Sequence, residues 1–239
     1  IKPERSELIE IMNKKDSNKF EYSQYLYGGI KEYIDEEERK QIEREITQKY
    51  NETIESFEEK CRIGENDSYI CSLIRTDSIE DFIIYINKNS ISLTSEIKAS
   101  IFETNLCFIQ KSPTIIEYSA FYGSIQIFQY LKLSKVLISS TIWNYVIHSK
   151  NAQLIHLLED DHILPVVSWQ NYQSCIEESI KCHHNDIATY FINNFFNEYK
   201  TNFQNDFDNN ILNFGYHYFN FNFIPSEKRH YYTIFYACK

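Results

Sequence analysis

Apolar residues recur at three- and four-residue steps through most of this chain, the spacing that gathers them on one face of an α-helix. The longest such stretch covers residues 35–61. There Ile42, Ile46, Tyr50, Ile54, Phe57 and Cys61 are separated by Glu, Lys and Arg. The spacing predicts one amphipathic helix docked on its neighbours. It falls short of the three or four sustained heptads that a coiled coil needs. Asp35 and the glutamates after it suit the helix start, where the macrodipole favours negative charge. Upstream, residues 6–12 read as a short helix and Gly28-Gly29 as a break.

From about Asp67 the pattern repeats itself. Residues 114–131 hold a short helix, a break at Gly123 and a second short apolar helix. The same arrangement returns 27 residues later from Thr141, and 33 residues after that from Ser174. A weaker unit over 69–86, with Asp77 or Ser78 at its break, reads as a capping repeat. Gly123 suits the left-handed geometry that ends a helix. Its counterparts Lys150 and His183 find that geometry harder, so their turns are expected to differ slightly. Ser119, Ala120 and Ser179 let the first helices approach closely. Ile127, Phe128 and Leu131, then Leu154, Ile155 and Leu158, then Ile187 and Phe191 are expected to form an apolar layer of second helices. No unit buries its apolar face alone, so the units are expected to stack. Residues 200–226, where Asn, Phe and Tyr alternate, read as an irregular connection, part of it packed down because exposed aromatics favour aggregation.

Composition narrows this reading. Only 5 Gly and 4 Pro are present, too few for a fold of many tightly turned strands. The net charge of −10 opposes a surface for phosphates or anionic lipid, so neither nucleic acid nor membrane is an expected partner. None of the six cysteines forms Cys-x-x-Cys and no apolar leader opens the chain, which points to free thiols in the cytoplasm. The Asn51 and Asn66 sequons are matches of a kind common by chance. No apolar run approaches a bilayer span. The chain opens on Ile1 rather than Met, which reads as a start inside a longer protein.

The pattern Thr-x-apolar, two small residues and Gly, then apolar residues four, five and eight positions on, resembles the ankyrin repeat. Thr114, Ile116, Ser119, Ala120, Gly123, Ile127, Phe128 and Leu131 fill it in order. The 27-residue spacing departs from the usual 33 and implies a shortened hairpin. The stretches "EYSAFYGSIQIFQYLKL", "ESIKCHHNDIATYFINNF" and "ICSLIRTDSIEDFIIYIN" are similar to a helical domain of unknown function that precedes the ankyrin repeats in a large protein family of flagellate protists. That resemblance implies an all-α chain in three parts: an N-terminal helical region over 1–66, degenerate ankyrin-like repeats forming a short solenoid over 67–199, and an irregular connection over 200–239. Residues 232–239 look like the first helix of a further, truncated repeat.

Candidate chemistry is sparse. Cys182, His183, His184 and Asp186, with Cys175, are metal-ligand types, but consecutive positions diverge and fall on a turn, so no metal is expected. Cys182 with His148 or His156 has the composition of a nucleophile pair, but no spacing fixes its geometry. Glu177-Glu178 reads as a solvated face. No phosphate loop or nucleophile motif is present, so neither catalysis, a cofactor nor a small-molecule substrate is expected. In an ankyrin-like array, the residues beside the small-residue core face a groove. These are Glu117, Phe121 and Tyr122, then Asn144, His148 and Ser149, then Glu177 and Lys181, and they are the expected contacts for a protein partner. Phe121 and Tyr122 have a second reading, as packing against the shortened hairpin. The expectation is a protein-binding scaffold; a cap or spacer for repeats downstream and an enzyme with an unrecognised site are the rivals.

Overall fold

A computed structural model describes residues 24–163, 169–195 and 200–226. The expected helix over 6–12 and the expected repeat start over 232–239 lie outside them. The described residues form α1 (Tyr27–Ile30), α2 (Glu36–Tyr50), α3 (Ile54–Ile63), α4 (Tyr69–Arg75), α5 (Ile79–Lys88), α6 (Leu106–Gln110) and α7 (Ile115–Tyr122). After these come α8 (Ile125–Leu133), α9 (Ile142–Ser149), α10 (Ala152–Asp160), α11 (Trp169–Lys181), α12 (Asn185–Phe195) and α13 (Lys200–His217), and then a 3-10 turn at Phe221–Phe223. The chain is all-α as expected. Extended pairing among the described residues is limited to one bridge between Glu96 and Thr114. No described helix is long and apolar enough to cross a membrane.

Two compact units divide the chain. One takes the described residues up to Ser72 with Lys98–Ser112, and the other Leu73–Ile97 with the described residues from Pro113 onward. In the first unit, Tyr27, Ile42, Ile46, Phe57 and Phe102 form the core, with the Phe57 and Phe102 rings 5.2 Å apart. The 35–61 periodicity resolves into two helices rather than one. Asn51 turns left-handed at the end of α2 (φ 54°), and the Thr53 hydroxyl accepts the Ser56 N–H to start α3. Periodicity survives such a break because the apolar face resumes in phase. Asp35 does open α2, accepting the Glu37 and Glu38 amides. Gly28-Gly29 lies inside α1 and not at a break, because Tyr27 and Ile30 on either side are buried and hold that turn against the core.

In the second unit, the helices come in pairs. The first helices α7, α9, α11 and α13 pack in succession, while α7 packs on α8, α11 on α12, and α5 on α8. Ser119 and Ser179 are fully buried where the first helices meet, and their hydroxyls donate to the carbonyls four residues back, Ile115 and Cys175. Of the expected apolar layer, Ile127, Phe128, Leu131, Leu154, Leu158, Ile187 and Phe191 are buried and Ile155 only half so.

A shared turn explains the pairing. Each first helix ends on a left-handed residue: Asp77, Gly123, Lys150, His183 and Phe219. After Gly123, the Ser124 N–H reaches the Ser119 carbonyl and the Gly123 N–H that of Ala120. The bonds from His184 to Ser179 and from His183 to Ile180 repeat this geometry, as do those from Asn220 to Gly215 and from Phe219 to Tyr216. This is the paired-bond helix ending that satisfies orphan carbonyls. His183 therefore makes the same turn as Gly123, against expectation. The turn at Lys150 does differ, since the Ser149 hydroxyl takes the Asn151 N–H. Residues 200–226 are corrected in the same way. They form α13, the turn at Phe219 and the 3-10 turn rather than an irregular connection.

The turns also bind one pair to the next. The Ser124 hydroxyl donates to the Ile74 carbonyl (2.5 Å), Asn151 Nδ2 to Gly123 (3.1 Å), and Asn220 Nδ2 to Ile180 (2.9 Å). His184 Nδ1 lies 2.8 Å from the Ile147 carbonyl and must carry its proton to donate there. The Asp77 carboxylate accepts the Gln126 and Ile127 amides at 3.0 Å, capping α8 from the preceding pair. Left-handed backbone costs an L-residue about 1–2 kcal/mol, partly offset by the freer unfolded state of glycine. His183 is exposed at φ 56°, so His183→Gly is expected to raise stability by about 0.5–1 kcal/mol in urea denaturation. Gly123→Ala is expected to lower it by about 1 kcal/mol.

Candidate functional site

The first helices of successive pairs bring aromatic and charged side chains into one row. Its scaffold starts with the capping box of α7, in which Thr114 accepts the Glu117 amide while the Glu117 carboxylate accepts the Thr114 amide and hydroxyl. That box and the Gly123 turn bracket α7 and set Phe121 and Tyr122 in its last turn. Arg75 Nη1 donates to the buried Tyr118 hydroxyl at 2.9 Å, and its guanidinium lies 5.9 Å from the Tyr122 ring centre. The Tyr122 ring meets those of Tyr118 (4.8 Å) and Phe121 (5.1 Å). Phe121 in turn meets the His148 ring of α9 at 4.5 Å, inclined by 33°.

His148 joins the aromatic half of the row to a charged half on α11. Its Nε2 lies 2.5 Å from Glu178 Oε1, and its Nδ1 lies 3.5 Å from Cys182 Sγ. Glu178 and Cys182 are four residues apart and share a helical face, so both reach the same imidazole. Lys181 Nζ donates to the two Glu178 oxygens at 3.2 and 3.3 Å. Beyond them, the Tyr218 hydroxyl donates to Glu177 at 2.8 Å.

The electrostatics follow from partial burial. The Glu178 side chain is 16% exposed, and that desolvation opposes ionisation. The His148 hydrogen bond, the charge that ring carries when protonated, and Lys181 outweigh it and hold the carboxyl below the usual glutamate range. Burial raises the Tyr218 phenol, and its bond to Glu177 raises it further. Burial also pushes the Cys175 thiol up to about 12, with the Glu178 charge adding to the effect. A carboxyl whose folded pKa is depressed stabilises fully above its unfolded value, about 4.3, and loses that contribution as pH falls through the folded value. Glu178→Gln is therefore expected to destabilise the chain at about pH 6, and the difference is expected to shrink as pH falls below the ordinary glutamate value, as read by paired denaturant titrations.

The expected site residues separate. Phe121, Tyr122, His148 and Lys181 enter the row. Glu117 does not, because its carboxylate is spent on the capping box and the residue is only 8% exposed. Asn144 joins α9 to α11, accepting the Ser174 hydroxyl at 3.4 Å. Ser149 serves its own turn, donating to the Val146 carbonyl. Glu177 takes part through Tyr218. The reading of Glu177-Glu178 as a solvated face is corrected for Glu178, which turns in to His148. Sequence reasoning also missed Arg75 and Tyr218. Their signal is position at the end of a first helix, Arg75 as its last residue and Tyr218 just past it, and it appears only once the helix endings are known. Among the would-be metal ligands, His183 is exposed, His184 bonds Ile147 and Asp186 pairs with Lys150 at 3.4 Å, so they point apart. Elsewhere a groove of about 670 Å³ is lined by Ile125, Gln129 and Lys132 of α8 with Gln153, His156 and Leu157 of α10.

Comparison with protein-family models, curated proteins and solved structures finds no match to this chain.

Proposed function

We propose that the chain is a protein–protein interaction module built of ankyrin-like repeats and that it works by surface chemistry, without catalysis. The observation that carries this reading is the row from Arg75 through Tyr122, Phe121 and His148 to Glu178 and Lys181. Rigid aromatic side chains fixed beside charged ones are the residue types that dominate binding energy in protein interfaces. Helix pairs that stack through their turns fit the same reading, since repeat arrays present one residue set from each unit on a continuous face. The partner is a protein whose contact patch complements aromatic rings flanked by a cation at each end. No nucleic acid, membrane or small-molecule substrate is part of the reading.

The test is an affinity capture from native lysate, with the wild-type chain beside a Tyr122→Ala, Lys181→Glu double variant. Both positions sit at the row's edge, and circular dichroism verifies that the variant keeps its helices. A protein captured by the wild type and lost with the variant supports the row as its docking face. Equal capture by both, or none by either, rejects that face and leaves the chain as a cap or spacer for neighbouring repeats.

A further inference from the structure

We propose that Cys182 is a reactive thiol, activated by His148 and oriented through Glu178, that is oxidised by small hydroperoxides. The inference goes beyond the binding reading and stands whether or not the row docks a protein. Three side chains from two helices converge: Cys182 Sγ lies 3.5 Å from His148 Nδ1, and His148 Nε2 lies 2.5 Å from Glu178 Oε1. A carboxylate only accepts hydrogen bonds, so it fixes the imidazole proton on Nε2. Nδ1 is then the lone-pair nitrogen, and it faces the sulfur. That is the logic of a thiol paired with a base that a third group holds in register. Phe121 packs on the imidazole at 4.5 Å and limits its tilt.

The surroundings separate Cys182 from two other thiols. Burial pushes Cys61 up to about 11 and Cys175 up to about 12, which keeps both protonated and inert at neutral pH. Cys182 is only half-buried, at the turn that ends α11, where a small molecule reaches it. Glu178 also lies 3.7 Å from the sulfur and opposes a thiolate there. Lys181 on both of its oxygens offsets that charge.

The step balances. The thiol proton passes to Nδ1, and the thiolate attacks one oxygen of hydrogen peroxide. The S–O bond forms as the O–O bond breaks, so sulfur loses two electrons and becomes a sulfenic acid. The departing hydroxide recovers the proton from the imidazolium and leaves as water.

The test uses the folded full chain with limiting iodoacetamide, and mass spectrometry reads the alkylation rate of each cysteine. Cys182 is expected to react at least about tenfold faster than Cys61 and Cys175. His148→Gln is expected to slow Cys182 by at least about tenfold and leave Cys61 and Cys175 unchanged. Should His148→Gln lose its helical signal, His148→Asn takes its place. Hydrogen peroxide followed by dimedone should then leave an adduct on Cys182. A Cys182 rate no faster than that of Cys175 overturns the proposal, as does a rate indifferent to His148. Fast alkylation without a dimedone adduct overturns the hydroperoxide as reactant.

Discussion

Trp143→Ala is expected to lower the stability of the repeat-bearing unit by about 3–5 kcal/mol, the largest effect of any single substitution considered. Trp143 is fully buried, and its ring meets that of Phe191 on α12 edge-on at 5.6 Å and 79°. Its indole N–H donates to the Ile163 carbonyl at 2.8 Å, tying α9 to the end of the α10 turn. Alanine removes the apolar volume, leaves a cavity between first and second helices, and strands that carbonyl. Domains of ordinary stability have only about 5–15 kcal/mol to lose, so the variant should sit close to unfolding. Trp143→Phe separates the two contributions, because it keeps most of the ring and drops only the hydrogen bond, for an expected loss of about 1–2 kcal/mol. Urea titrations followed by circular dichroism read both. Equal losses for the two variants would assign the residue's role to the hydrogen bond rather than to packing.

Asn220→Ala is expected to cost about 2–4 kcal/mol, but locally. This side chain is 1% exposed, and its amide donates to the Ile180 carbonyl at 2.9 Å and to Asn185 Oδ1 at 2.7 Å. Truncation removes both bonds: Asn185 Oδ1 loses this donor and the Ile180 carbonyl keeps only the His183 N–H. An unmatched polar group costs about 1–3 kcal/mol, with about 1 more for a lost hydrogen bond. The residue joins the last described pair to the one before it, so the loss should open α13 while α7 stays closed. Native-state hydrogen exchange distinguishes the cases. Protection lost in α13 and kept in α7 fits pairwise stacking. Protection lost equally in both would mean that the pairs unfold as one block.

The helical content, the paired helices and most of the buried layer were legible in the sequence. Ile127, Phe128 and Leu131 recur at helical spacing, and backbone hydrogen bonding within a helix is local enough for spacing to reveal it. Asp35 announced a helix start for the same reason: it caps amides within three residues of itself. The failures have physical causes too. The left-handed turns at Lys150, His183 and Phe219 carry neither glycine nor asparagine, the types that mark such a turn. Paired backbone bonds and the packing of the following helix supply what glycine would otherwise provide. Gly28-Gly29 shows the converse, a breaker signature overruled by two buried neighbours. The site lay furthest from the sequence. Glu178 reads as one more surface acid until His148, from the preceding helix pair, is placed 2.5 Å away. Periodicity selects which face of a helix is buried. Only the stacking of one pair on the next decides which polar side chains meet across it, because that depends on rotation and register between helices, quantities that no local pattern encodes.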